Sequence, residues 1–248
     1  VVYHLAGQAD VAASWLSPIE TMRVNVEGTH NILEVARTFG VAKVLTVSSA
    51  DIYGVVAPEE LPIVESAPLR PVSPYAASKA AADLVALQAH LGHGQDVVRA
   101  RAFNHLGPGQ SKSFVGAGFA ARIAAAERSG DDELQTGDLT PRRDFTDVRD
   151  VVRAYRLLAT EGRPGVAYNI CSGTSVSIGE LAGLLLGLTD ARMRLVEDPD
   201  LLRPVELPEL RGDASLLRRH TGWAPSISLD ETLSDVLEDW RLRLTEAQ

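Results

Sequence analysis

The apolar, β-branched run at 41–47 breaks off into Ser48 and Ser49, and no other feature limits the fold of this chain as strongly. Such a run reads as a buried parallel strand. Open α/β sheets place their chemistry at the carboxyl ends of these strands, so Ser49 is expected at a site. The pattern recurs: 1–5 runs into a glycine turn at Gly7, 96–103 leads to Asn104, and 166–170 leads to Cys171. Helical periods lie between. Residues 8–16 place Trp15 on an apolar side, and 21–39 repeats Met22, Val26, Ile32, Leu33, Val35 and Ala36 before Gly40. A third helix from Tyr75 to about His90 presents Ala76, Ala80, Leu84 and Leu87. Strands alternating with helices imply an α/β fold, a Rossmann-like doubly wound parallel sheet.

The third helix opens with a start signal. Ser73 can cap it, and Pro74 suits its first turn, where a missing N–H costs nothing. Tyr75 and Lys79 then lie one turn apart on one face. A lysine ammonium beside a phenol favours the phenolate, which lets Tyr75 pass a proton near neutral pH. An ordinary surface pair has the same spacing, and only the serine-ended strand upstream favours the catalytic reading. Asn25 is a weak helix former inside a helical stretch, which asks for a reason. The strand ending at Asn104 meets a Gly-Pro-Gly turn, so Asn104 is expected to face the cleft. Arg143 carries a planar fork suited to phosphate oxygens. An ion pair with Asp144 or Asp147 is its competing role. His105 lacks an accompanying histidine or carboxylate motif and reads as structural.

Composition narrows the class. With 248 residues, 45% of them hydrophobic, the chain can bury a substantial core as one domain or two joined lobes. A net charge of −9 without a basic block argues against nucleic acid as a partner. The single cysteine, Cys171, excludes an internal disulfide framework, fits a reducing compartment and reads as a buried thiol. No apolar run approaches the roughly 20 residues of a membrane span. No metal-ligand spacing stands out. A soluble, cytoplasmic protein is expected. Residues 58–74 are proline-rich and read as a surface loop, 131–140 as a polar loop, and Ser177 with Glu180 as a capping box.

Ser49 together with Tyr75-x-x-x-Lys79 resembles the catalytic set of the extended short-chain dehydrogenase/reductases. The chain is most similar to their nucleotide-sugar-modifying branch, the NAD-dependent epimerases, dehydratases and reductases. The VNVxGTxN stretch around Asn25, FNHxGPGQ from Phe103, and RDFxxVxD from Arg143 carry this resemblance through nearly the whole chain. It implies NAD or NADP as cofactor, contacted by Leu5, Ala6, Gly7, Asn25, Val47, Ser48, Tyr75 and Lys79. It implies a nucleotide-diphosphate sugar as substrate. Gln8 would face the sugar, where a solvated loop amide is the alternative. Asn104 and Arg143 would hold the diphosphate, and Phe114 and Val115 would pack on the base. Arg203 and Glu206 would close over the phosphates and ribose. Asn25 would order the proton relay near Lys79, unless it is a surface residue. Members commonly pair through two helices per subunit, so a homodimer is the expected assembly.

Two departures from the family pattern matter. No Gly-rich phosphate loop occurs, and His4-Leu5-Ala6-Gly7 resembles the turn after the fourth strand, which implies that about 60 residues are missing at the N-terminus. Where the branch's dehydratases carry a glutamate, this chain has Asp51, one methylene shorter. A loop-capping aspartate is the alternative role there. FNHxGPGQ is nearest to the 4-keto-6-deoxy-sugar reductases that act on GDP-sugars, whereas related GDP-mannose dehydratases follow the asparagine with paired arginines. The expectation is a reductase, with Ser49, Tyr75 and Lys79 catalytic and Asp51 the residue that separates it from a dehydratase. A non-catalytic dinucleotide sensor is the rival of another class, and the Tyr75/Lys79 pair argues against it. Residues 1–103 with about 141–171 are expected to form the truncated dinucleotide-binding domain. Residues 104–140 and 172–248 are expected to form the sugar-nucleotide lobe.

Overall fold

A computed structural model describes residues 1–201, 205 and 207–246. Its centre is a four-stranded, all-parallel sheet in the order Val2–His4, Val44–Ser49, Val97–Ala102, Ala167–Ile170. Alternate residues of each strand face opposite layers, as the two-residue period requires. Val44 and Val97 meet Leu33 and Ala36 of the Gly28–Thr38 helix and Ala86 and Ala89 of the Pro74–His93 helix. Leu45, Val98 and Ala100 face the other way, onto Val151, Tyr155 and Leu158 of the Val148–Glu161 helix. Helices on both faces of a parallel sheet make the fold Rossmann-like.

A second core lies apart from this sheet. The helices Val115–Ser129, Ile178–Leu186 and Leu229–Glu246 bury Phe119, Ile123, Leu181, Leu185, Leu233 and Val236 among themselves. The Ser177 hydroxyl accepts from the Glu180 N–H at 2.9 Å and the Glu180 carboxylate accepts from the Ser177 N–H at 2.6 Å, closing the capping box. Leu207, Leu210, Leu217 and Trp223, read from the sequence with the smaller lobe, pack instead into the core of the sheet.

Several local expectations are corrected. Residues 21–39 are not one regular helix: Pro18–Met22 and Gly28–Thr38 are joined by a π turn, Arg23–Glu27, that contains Asn25. Trp15 is 41% exposed, and the residue its short helix buries is Ser14. Leu84 and Val35 face outward. The Pro74–His93 helix turns Ala76, Ala80, Ala82, Ala86 and Ala89 inward, because small side chains allow close approach to the sheet and leave the leucine no room. Within 58–74, Ile63 is fully buried: its N–H donates to the Arg211 carbonyl and its own carbonyl accepts from Asp213 N–H. Residues 131–140 contain a strand, Glu133–Thr136, paired in parallel with Arg194–Glu197.

Candidate active site

The Val44–Ser49 strand stops because Ser49 becomes the cap of a 3₁₀ turn, Ala50–Tyr53, with its hydroxyl accepting from the Asp51 N–H at 3.2 Å. Ile52 and Tyr53 anchor that turn in the core, which leaves Ser49 and Asp51 half-buried at the carboxyl end of the sheet. The Pro74–His93 helix starts where its sequence says it should, the Ser73 hydroxyl accepting from Ala76 N–H at 3.1 Å. Tyr75 and Lys79 are both buried on it, so they are not an ordinary surface pair.

The peptide of Tyr75 is held from both sides. Its N–H donates to the Ser14 hydroxyl at 3.1 Å, and its carbonyl accepts from the Ser78 hydroxyl at 2.7 Å. Ser78 in turn accepts from the Asn25 amide at 2.8 Å. The same amide clasps the backbone of Gln8, whose N–H donates to Asn25 Oδ1 at 2.8 Å and whose carbonyl accepts from Asn25 Nδ2 at 3.1 Å. The π turn places Asn25 there, and such turns recur at functional sites because they push one residue out of helical register. Lys79 Nζ donates to the Val47 carbonyl at 2.8 Å, and the Ser48 hydroxyl donates to the Lys79 carbonyl at 3.3 Å.

Burial governs the electrostatics. It raises Tyr75 well above the usual phenol value, the Asp51 charge adds to this, and the Ser49 hydroxyl opposes both. The shift runs opposite to the lowering expected from Lys79, which is not among its causes, because burial outweighs any help from the ammonium; the phenol is protonated at neutral pH and faces Ser49. Burial also brings Lys79 down to about 8. An ammonium has three donors, and here one goes to Val47. Two remain for ribose hydroxyls, and Leu5, Ala6 and Gly7 lie exposed at the end of the neighbouring strand. These residues fit the nicotinamide end of a dinucleotide. His4 contacts the Thr29 hydroxyl at 3.1 Å, and burial and then Lys79 lower its pKa.

The residues read for the sugar nucleotide are placed less uniformly. Asn104 opens a short strand, Asn104–Leu106, and its side chain makes no hydrogen bond among the described residues. Phe114 is 37% exposed and caps the Val115–Ser129 helix, with Val115 half-buried. Arg143 is buried and donates to the carbonyls of Arg142 at 2.8 Å and Leu207 at 2.7 Å. Asp144 is engaged with Ser172, Gly173 and Gly212, and Asp147 with Arg149 and Thr232. The Gln8 side chain folds back to donate to the Asp10 carbonyl at 2.6 Å and leaves its own oxygen buried without a partner. Arg203 and Glu206 lie outside the described residues. His105 is tied to the Phe103 carbonyl and burial lowers its pKa. Among the described residues no group of histidine, cysteine and carboxylate side chains could hold a metal, and no helix is long and apolar enough to cross a membrane.

Sequence reasoning missed three features. Ser14 and Ser78, which hold Tyr75, gave no signal beyond their proximity to motifs. Arg122 falls on the Val115 face of its helix by the i, i+7 spacing and has no ion pair among the described residues. Asp83, Arg99 and Arg101 form a buried charged cluster, and two arginines at alternate positions of an apolar strand are a signal that could have found it.

The family model described as GDP-mannose 4,6 dehydratase matches residues 1–236. The chain belongs to this family. It is 40% identical to the GDP-6-deoxy-D-mannose reductase of Pseudomonas aeruginosa over 247 residues, spanning 99% of this chain and 81% of that one. It is 27% identical to the GDP-mannose 4,6-dehydratase of Vibrio cholerae, over 95% of this chain and 71% of that one. Among solved structures, RMD from Pseudomonas aeruginosa complexed with NADPH superposes with a TM-score of 0.92 at 40% identity, covering 98% of this chain and 81% of that one. A Thermotoga maritima UDP-glucose 4-epimerase with UDP-glucose gives 0.91 at 29% identity, covering 98% and 77%. Reductases, dehydratases and epimerases of sugar nucleotides thus share the fold of this family member.

Proposed function

We propose that this protein reduces the 4-keto group of a GDP-4-keto-6-deoxyhexose with NAD(P)H. The observation that carries the reading is a buried phenol, Tyr75, facing the Ser49 hydroxyl at the carboxyl end of the parallel sheet. The 40% identity to a GDP-6-deoxy-D-mannose reductase supports a GDP-linked keto sugar as the substrate. When bound, NAD(P)H would supply the hydride to the carbonyl carbon. Ser49 holds the carbonyl oxygen, and Tyr75 gives that oxygen its proton as negative charge grows, which turns the ketone into an alcohol. Lys79 orients the nicotinamide ribose and offsets the charge left on Tyr75. Leu5, Ala6, Gly7, Asn25, Val47 and Ser48 complete the cofactor contacts. Ser48 serves by fixing Lys79, since its hydroxyl is spent on the Lys79 carbonyl.

In this reading Gln8 faces the sugar through its unpartnered oxygen, Asn104 and Arg143 take the diphosphate, and Phe114 and Val115 flank the base. Arg203 and Glu206 are assigned by resemblance alone, and Arg122 adds a cation on the Val115 face. The sheet domain, 1–103 with about 141–171 and the 207–223 stretch that packs on it, carries the chemistry, and the lobe built on the helices Val115–Ser129, Ile178–Leu186 and Leu229–Glu246 carries the sugar nucleotide. A homodimer through the Gly28–Thr38 and Pro74–His93 helices is part of the proposal, supported by exposed Val35, Phe39, Leu84 and Leu91. A cytoplasmic location is part of the proposal, and the free buried thiol of Cys171 is compatible with it.

One observation favours a second reading, 4,6-dehydration: the Asp51 charge acts on Tyr75, so its carboxylate lies near the reacting oxygen. The test supplies GDP-4-keto-6-deoxymannose with NADPH or NADH to the protein expressed from its whole reading frame. Stoichiometric loss of reduced-cofactor absorbance with a 6-deoxyhexose product is expected. Conversion of GDP-mannose to its 4-keto derivative without net cofactor use would overturn the reductase in favour of the dehydratase.

A further inference from the structure

Tyr75, Lys79 and Asp83 stand at i, i+4 and i+8 of one helix and therefore share a face. The first two reach the site. The third points into the protein, with its side chain fully buried between two arginines of the central strand Val97–Ala102. Asp83 accepts from Arg99 Nη1 at 2.5 Å, and from Arg101 Nε at 3.1 Å and Nη2 at 2.9 Å. The remaining arm of Arg101, Nη1, donates to the Tyr53 hydroxyl at 3.0 Å and to the Glu65 carbonyl at 2.9 Å. Tyr53 donates onward to Asn169 Oδ1 at 2.7 Å on the next strand. Asn169 is fixed by Glu65 and Ile63, its N–H donating to the Glu65 carboxylate at 2.9 Å and its amide donating to the Ile63 carbonyl at 2.9 Å.

Tyr53 ends the 3₁₀ turn that Ser49 caps and that contains Asp51. One planar guanidinium thus grips the helix carrying Tyr75 through Asp83 and the turn carrying Ser49 and Asp51 through Tyr53. We propose that Arg101 and Tyr53 are positioning residues, a buried brace that sets the separation between Tyr75 and the Ser49–Asp51 turn. A core that needed only stability would do as well or better with apolar side chains here, since buried ion pairs repay their desolvation poorly. What a forked cation adds is direction: several donors in one plane, so that two elements are fixed relative to each other. A hydride-and-proton step needs that, because a misplacement of about 1 Å can cost on the order of a hundredfold in rate.

The inference rests on the reading of Tyr75 as proton donor and Ser49 as its partner at the carbonyl. The test is Tyr53→Phe in the protein from the whole reading frame, assayed as the keto-sugar reductase. This change removes one oxygen and keeps the ring packed on Phe103 and under the Arg101 guanidinium. A fall in kcat of about tenfold or more, with KM for the sugar nucleotide within about twofold and a larger solvent deuterium isotope effect, is the expected result. Arg101→Lys, which retains charge for Asp83 but not the fork, is expected to lose at least as much. A lower melting temperature with unchanged kcat and isotope effect in Tyr53→Phe overturns the brace and leaves only a structural bond. Tyr75→Phe run alongside separates the two ideas: if it retains full turnover, the proton-donor reading itself has failed.

Discussion

Lys79 Nζ donates to the Val47 carbonyl at 2.8 Å, which ties the lysine of the Pro74–His93 helix to the strand that delivers Ser48 and Ser49. The ammonium is thereby buried where burial disfavours its charge, and its pKa comes down to about 8. In the reduction, positive charge at this position offsets the phenolate that Tyr75 leaves behind. The rate of keto-sugar reduction is expected to be flat below neutrality and to fall as pH rises through about 8. Lys79→Arg, charged throughout, is expected to lose that limb while turning over more slowly. A wild-type profile flat to pH 10 would remove Lys79 from the chemistry.

Stability responds to the same group with the opposite benefit. Between a folded value of about 8 and the ordinary 10.5, the unfolded chain holds a proton that the folded chain has released. Stability contributed by this group is therefore present above the unfolded value and lost as pH falls through about 8. Lys79→Met is expected to melt higher than the wild type at pH 7, with the gap closing toward pH 10.5, and to be nearly inactive. Thermal melts across that pH range read the difference, and an equal or lower melting temperature at pH 7 would contradict it.

Tyr75→Phe removes the only proposed proton donor while keeping the ring in its buried slot. General acid catalysis by a positioned group is worth roughly 10² to 10⁴ in rate. A loss of that size in kcat, with dinucleotide affinity little changed, is expected from steady-state kinetics and a fluorescence titration. A loss below about tenfold would reassign the proton to another group.

Asp51→Ala separates reduction from dehydration. Its carboxylate raises the Tyr75 pKa, so removing it is expected to make the phenol slightly more acidic and to change reductase kcat by less than about fivefold. A dehydratase would lose the group that moves the proton at the neighbouring carbon and fall by 10² or more, roughly. Assays on GDP-mannose and on its 4-keto derivative distinguish the two.

The parts of this site legible in the sequence are those with a local physical signal. The Ser73-Pro74 start, the apolar run ending at Ser48 and Ser49, and the Tyr75/Lys79 spacing each encode their geometry within a few residues. Asn25 was legible as an anomaly, although the π turn that gives it reach was not, because nothing in the 21–39 periodicity announces one extra residue per turn. On the Pro74–His93 helix the expected inward positions Ala76 and Ala80 are buried, whereas Leu84 faces outward because close approach to the sheet selects alanine at the remaining inward positions. Glu133–Thr136 was missed because its four residues alternate only at Leu134 and Thr136, and its partner strand lies 61 residues away in sequence, at Arg194–Glu197. The brace around Arg101 joins five segments, and pairings of that range leave no periodic trace.

Gly54 closes the turn that carries Ser49 and Asp51, and it offers the sharpest structural test of that turn. Its φ is +65°, and a Cβ there would stand 1.8 Å from the Arg70 carbonyl oxygen. Arg70 cannot yield, since its own N–H donates to the Ile52 carbonyl within the same turn at 3.0 Å. Gly54→Ala therefore meets both a left-handed backbone and a backbone overlap, which together cost about 2–4 kcal/mol. The turn must move to relieve the clash, and Ser49 moves with it. Urea denaturation is expected to show the loss of stability, and the folded fraction is expected to retain dinucleotide binding but little turnover. Full turnover in a Gly54→Ala protein of reduced stability would mean that the position of Ser49 does not depend on this turn.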